Sequence, residues 1–467
     1  MLTQNANRDA RLSFWLRVRE YAVPPSMIEL ATARRGAGDW AGACAAAGID
    51  VEFNLRAMAR THGQELAAQV RADLRHLAPD LLRWHMPRIA PDGLLRPGLT
   101  VALARYDDAG RDGVCPVLLV ARTAPSWADA GQRISLALWD RSHPDAGACR
   151  HPHPRPHQRF RIDLHRHLWD ARRSGELRIR SGADRLPAEG HLGGDPRFLA
   201  AVPRGYLCAV DRWAAEAGVL LHDEGRSTGA VTVRLDTRHR VDVDLVADRD
   251  GAGPPTLRIA APSADGGACA LPVLPNAATW VLPDLELLRA GAIEADQLHP
   301  LVASALVPEH APTGPPRTAD GASRPRVVEC RGAQHRIGLV EGVLASLDHD
   351  PAEIRREELL AALTGSPLPC LQAIDDAHRH PDCLTGVRER LDHGDAAGAL
   401  AVVEGLLGPE ALLRTGALRD ELTAAAQQRI TYGLYRAGLI GPGPEHIRPE
   451  RRRPRGHRSR PRHTTGR

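Results

Sequence analysis

Asp163-Leu164-His165-Arg166-His167 has the D-x-H-x-H spacing of a metal-binding strand end. In metal-dependent hydrolases two such imidazoles hold a divalent ion that lowers the pKa of a bound water. Phe160-Arg161-Ile162 could be the strand that delivers them. Enzymes of that kind are αβ barrels, however, and the chain beyond residue 180 reads as antiparallel. The same residues also suit an amphipathic helix capped by Asp163. Asp163, His165 and His167 are the candidate metal ligands, a divalent ion is the one cofactor weighed, and a metal-dependent hydrolase is one alternative for the function.

Three other groups carry reactive side chains. Cys149, His151, His153 and His157 continue toward His165 and His167 through a His- and Pro-rich loop that could collect zinc. Cys370, Asp375, His378, His380 and Cys383 could form a nucleophile pair or a zinc knuckle. The spacing of eight between Cys370 and His378 puts them about two helical turns apart, too far for a direct hydrogen bond. Gly225-Arg226-Ser227-Thr228-Gly229 matches G-x-S-x-G, but a nucleophile elbow runs strand, turn, helix, and here a strong strand signal follows. No catalytic constellation is complete, so no catalytic residue is assigned.

Every basic residue among the 61 Lys+Arg is arginine. A GC-rich coding sequence, favouring Arg, Ala, Gly and Pro codons, accounts for the bias. The chemical consequence is independent of its cause. A P-loop, a Schiff-base or nucleophilic lysine and a protein-kinase strand lysine are all excluded in their standard forms. The net charge of +4 is unevenly placed, because Arg448 to Arg467 hold nine Arg against Glu450. Arg451, Arg452, Arg453, Arg455, Arg458, Arg460 and Arg462 are therefore candidate nucleic-acid contacts, able to neutralise phosphates without reading sequence. Nucleic acid through the tail is a second alternative for function. The remaining chain is mildly acidic.

The elements that must position these residues follow from periodicity. Residues 1–95 read as a helical region, residues 96–310 as a β-rich domain, 311–325 as a Pro/Gly-rich linker, 326–440 as a β-hairpin and helical domain, and 441–467 as a basic tail with too little apolar surface to order itself. Strands are expected near 99–106, 116–122, 133–139 and 256–261, and an antiparallel hairpin over 230–247 buries Val231, Val233, Leu235, Val241, Val243 and Leu245. Helices are expected over Leu164 to Arg173 and Phe198 to Ala217. Gly38-Asp39-Trp40-Ala41-Gly42-Ala43 and Gly394-Asp395-Ala396-Ala397-Gly398-Ala399 read as two copies of one turn: Gly ends a helix left-handed, and Asp caps the next. The fold class is α+β.

Aromatics are only 4%, so the core rests on Ala, Leu and Val, with eight Trp as scarce large fillers. The eight cysteines are scattered without a C-x-x-C pair, the polar start reads as lacking a secretory signal, and no run approaches the ~18 apolar residues of a membrane span. A reducing cytoplasm is the expected compartment.

LRHLAPDLLRWHMPR at 74–88, HRHLWDARRSGELR at 165–178 and PAEIRREELLAALTGSPLPCLQAIDDAHRHP at 351–381 resemble a family of uncharacterised proteins from high-GC actinobacteria. The resemblance extends over most of the chain except the tail. It implies a cytoplasmic setting and a codon origin for the missing lysine, and carries no activity. The paired helix-turn-helix units and the lack of a complete catalytic site point to a non-enzymatic interaction or assembly module with an unknown protein partner.

Overall fold

The protein, seen in a computed structural model, is described over residues 2–107, 116–128, 132–140, 151, 155–184, 198, 202, 207–236, 239–246, 256–260, 271–309, 327–330, 333–340, 343–346, 350, 352–353, 355–356, 359, 363, 369, 382–407, 416–437 and 439. It is an α+β protein with three sheets among the described residues. Helix α1 spans Leu2–Arg17 and widens into a looser turn over Val18–Ala22. Pro24 and Pro25 then restart the chain as α2, Pro25–Gly36, with proline at its first position, where no amide hydrogen is needed. Gly38 takes φ +77°, and the Asp39 carboxylate accepts the Gly42 N–H at 2.8 Å to start α3, Trp40–Ala46.

Next comes β1, Ile49–Val51, which the helical spacing around it concealed. Helices α4 (Leu55–His62), α5 (Gln64–His76) and α6 (Pro79–His85) follow. The first sheet runs β1-β4-β3-β2, with β2 at Thr100–Tyr106, β3 at Val117–Thr123 and β4 at Ile134–Asp140. β2, β3 and β4 pair antiparallel, and β1 pairs parallel to β4 with Ile49 beside Ile134. The expected strands are therefore present. Residues on both sides of position 95 share one core, in which Val70 and Leu74 of α5 meet Val101, Leu103, Leu119, Leu136 and Trp169.

The expected helix over 164–173 is instead two tight 3-10 turns, Ile162–Leu168 and Ala171–Glu176, broken at Trp169. Asp170, not Asp163, caps the second by accepting the Arg172 N–H. The reason is tertiary: the Trp169 carbonyl bonds the Ala78 N–H, and the fully buried Trp169 ring enters the first core. After α7 (Leu177–Ser181), the end of the expected helix over 198–217 falls in α8, Trp213–Asp223, while residues 199–201 and 203–206 lie outside the described residues. It covers the second sheet, β5 (Gly229–Arg234), β6 (Arg240–Val246) and β7 (Thr256–Ile259) in that order. Val231, Val233, Val243 and Leu245 bury against Trp213, Leu220 and Leu221 in a core of their own. Residues 96–310 thus contribute to separate cores.

Short helices α9 (Asn276–Thr279), α10 (Pro283–Arg289) and α11 (Pro300–Leu306) return to α1, where Val18, Leu81, Trp84, Leu287 and Val302 make another core. The third sheet is a meander, β8 (Val327–Cys330), β9 (Ala333–Val340) and β10 (Val343–Ser346), one strand more than a hairpin. Helices α12 (Asp382–Asp392), α13 (Ala396–Leu407) and α14 (Ala417–Ala437) end the described chain. Residues 311–325 and 441–467 lie outside the described residues. Among the described residues no helix is long and apolar enough to cross a membrane.

The second Gly-Asp turn repeats the first. Gly394 has φ +81°, Asp395 accepts the Gly398 N–H at 2.9 Å, and Arg390 donates to Asp395 as Arg34 does to Asp39. What differs is the setting. The Arg83 guanidinium, 1% exposed, lies against Gly394 and donates to the carbonyls of Ala22, Ala47, Gln132 and His393. Three of these carbonyls end helical segments, where backbone oxygens lack intrahelical partners and carry the negative end of the helix dipole. One fork-shaped cation thereby ties four segments together, including the C-terminal helices.

Candidate functional site

The site is a cavity of about 760 Å³ where α1, α6, the loop after α6, the segment Phe160–Ile162 and the α9–α10 junction meet. Volumes of ~300–1,000 Å³ are usual for small-molecule pockets. α1 contributes Phe14 and Trp15, whose rings pack edge to face at 4.9 Å, and Trp15 stands 5.5 Å from Trp84 of α6. The Trp84 indole N–H donates to the buried Asp284 carboxylate at 2.8 Å, and the Arg19 guanidinium lies over its ring. On the other wall Arg11 stacks over Trp280 while bonding Glu286 at 2.8 Å. Phe160 completes the aromatic lining.

His85 and Arg88 are among the polar residues that line the cavity. Burial, helped by the charges of His299 and Arg88, pushes the His85 imidazole down to about 3, so it is neutral near pH 7. Its Nε2 makes no hydrogen bond among the described residues. Arg88 follows α6 in a tight loop: Nη1 donates to the Gly93 carbonyl at 2.8 Å, Nη2 donates to the Arg83 carbonyl at 2.7 Å, and Nε has no partner among the described residues. Burial, then the neighbouring Arg83 charge, lowers its pKa to about 9, which still leaves it a cation at neutral pH.

The D-x-H-x-H stretch does not converge as a ligand set. Arg161 grips the Asp163 carboxylate with Nε and Nη2, the latter at 2.6 Å, and also bonds Asp223. His165 turns away, with Nδ1 donating to the Arg161 carbonyl and Nε2 lying 3.1 Å from Glu216. Burial raises the Glu216 pKa, but bonds with His165 and Arg180 outweigh it and hold the carboxyl down at about 2. His167 is buried, its ring 5.7 Å from that of His165. Burial, with the charges of His165 and Arg180, keeps its pKa well below the usual range. Arg166 ties Asp73 to Asp170. The charged residues of this stretch are committed to protein partners, and among the described residues no three His, Cys, Asp or Glu side chains come together to hold a metal.

Of the His-rich loop, His151 is buried, with Nε2 3.0 Å from the Thr123 carbonyl, and His157 packs on Phe160. Cys149 and His153 lie outside the described residues, as do Cys370, Asp375, His378, His380 and the side chain of Cys383. The tail arginines Arg451, Arg452, Arg453, Arg455, Arg458, Arg460 and Arg462 lie outside them too. Gly229 begins β5 and α8 precedes it, so G-x-S-x-G has the opposite element order from a nucleophile elbow. Arg83, Trp84, His85 and Arg88 match no functional motif in the sequence. The available signal was two arginines in the apolar run Leu81 to Pro91 with no acid among them.

No protein-family model, curated protein or solved structure matches this chain.

Proposed function

We propose that the chain is a binding protein for a flat, largely apolar small molecule held in the aromatic cavity. One observation carries this reading. In a chain with eight Trp and four Phe, three Trp and two Phe line a single cavity. Large aromatic side chains are the richest source of buried area, and a soluble core normally buries them against one another. Here Trp15, Trp84 and Trp280 are positioned by Arg19, Asp284, Arg11 and Glu286 around an open volume.

The test is titration with N-phenyl-1-naphthylamine, a neutral fluorescent probe. The expected result is saturable binding near one equivalent, with energy transfer from tryptophan, and weakening by Ala277→Phe. Ala277 is exposed and lines the cavity, so the larger side chain fills it without entering a core. Binding that does not saturate, or is indifferent to Ala277→Phe, overturns the reading.

The paired turns favour a second reading, a protein-interaction or assembly module. The copy at 394–399 is docked on Arg83 and Gln132, whereas nothing lies against Gly38 and Asp39 is exposed in the copy at 38–43. Light scattering that shows a defined oligomer through the first copy, lost in Ala41→Arg, supports that reading. A monomer in both proteins counts against self-assembly.

A further inference from the structure

We infer that the ligand of this cavity is an aromatic acid whose anionic group is received by Arg88, an assignment that rests on the cavity being a binding site. Four arginines line the cavity: Arg11, Arg17, Arg88 and Arg161. Arg11 is bonded to Glu286, Arg17 is paired with Glu389, and Arg161 is held by Asp163 and Asp223. Arg88 touches only backbone carbonyls among the described residues, and one of them is the carbonyl of Arg83, itself a buried cation bonded only to carbonyls. With no carboxylate in contact among the described residues, the Arg88 guanidinium leaves its part of the cavity wall positive. A buried charge is costly unless paired, and a carboxylate entering an aromatic slot supplies the missing partner through charge-assisted hydrogen bonds. His85 beside it is uncharged and does not compete for the anion. The aromatic walls favour a planar body, and the guanidinium selects an acid over the matching amide or alcohol.

Displacement of bound N-phenyl-1-naphthylamine by 2-naphthoate and by 2-naphthamide separates this inference from the reading beneath it. The two competitors share a ring system and differ in charge. With the wild-type protein, naphthoate is expected to displace the probe at a concentration about tenfold or more below that of naphthamide, the value of one charge-assisted bond. Arg88→Gln should remove that preference, leaving naphthamide within about twofold of its wild-type value, and Arg88→Lys should keep part of it. The wild-type comparison stands without any variant, so misfolding of Arg88→Gln leaves the inference testable. If the probe binds and both competitors displace it equally, the acid assignment is wrong and the cavity reading survives. If the probe does not bind, both fall.

Discussion

Replacing Arg83 by Met removes the donor for four buried carbonyls while keeping a long apolar stem in place. The Nε and Nη2 bonds, at 2.9 Å to Ala22 and His393, and the short Nη1 bond to Gln132 are well formed, while the bond to Ala47 at 3.4 Å is long. Three charge-assisted bonds at roughly 2 kcal/mol each give about 6 kcal/mol of gross stabilisation. Sparing the desolvation of a buried guanidinium returns several kcal/mol of that. The carbonyls that lose their donor remain buried, so the net expected loss is about 3 kcal/mol, a shift of roughly a hundredfold in the folded-to-unfolded ratio. Arg83→Lys should recover only part, since an ammonium has three donors at one point and cannot span helix ends on opposite sides. The assay is urea unfolding followed by tryptophan fluorescence, with limited proteolysis in parallel. Because Arg83 bonds the His393 carbonyl beside the second Gly-Asp turn, the region after residue 382 should be cut first in the variant. An unchanged urea midpoint together with an unchanged cleavage order would refute the clamp.

The two Gly-Asp turns differ in burial although they match in geometry. Asp395→Ala should cost about 1 to 2 kcal/mol, because its carboxylate is buried, caps α13 and also holds Arg390. Asp39→Ala, at an exposed cap, should move the unfolding midpoint less; equal shifts would show that docking adds nothing to the second turn. Acidification should destabilise the fold. His85 has a folded pKa near 3 against an ordinary value of about 6.5, so below pH ~6.5 the unfolded chain takes up a proton that the folded one refuses. Stability is then complete above that pH and falls toward pH 3 by up to about 1.4 kcal/mol per unit for this one group. The depressed Glu216 adds loss in the same direction, from about pH 4.5 toward 2. His85→Asn should reduce the slope of the urea midpoint between pH 7 and 5, with the depressed His167 keeping the rest of it, and a wild-type midpoint level over that range would contradict the assignment.

Where a local period or cap decides the structure, the sequence was sufficient. Strands β2, β3 and β4 alternate or run apolar between Asp/Gly turns, and the β5–β6 hairpin shows its buried face in Val231, Val233, Val241 and Val243. Both Gly-Asp turns could be read from residue type, because a positive φ favours glycine and an Asp oxygen reaches the N–H three residues on. β1 was hidden because three residues carry no period, and the strand it pairs with, β4, lies more than eighty positions away. The Ile162–Leu168 turn also defeated local reading. Helical spacing there competed with the burial of Trp169 and with ion pairs to Asp73, Asp223 and Glu216, which come from distant segments. Asp163 and His165 part because Arg161, two positions away, holds the first, while Glu216 from a distant segment lies 3.1 Å from the second. The aromatic cavity belongs wholly to this second category. Phe14, Trp84, Phe160 and Trp280 have no sequence relation to one another, and only the packing of α1 and α6 with the segments around residues 160 and 280 brings them to one surface. Composition alone determined that the chain has no amine for lysine chemistry and few aromatics. Tertiary structure decided where those few aromatics gather and which arginine among them has no carboxylate partner among the described residues.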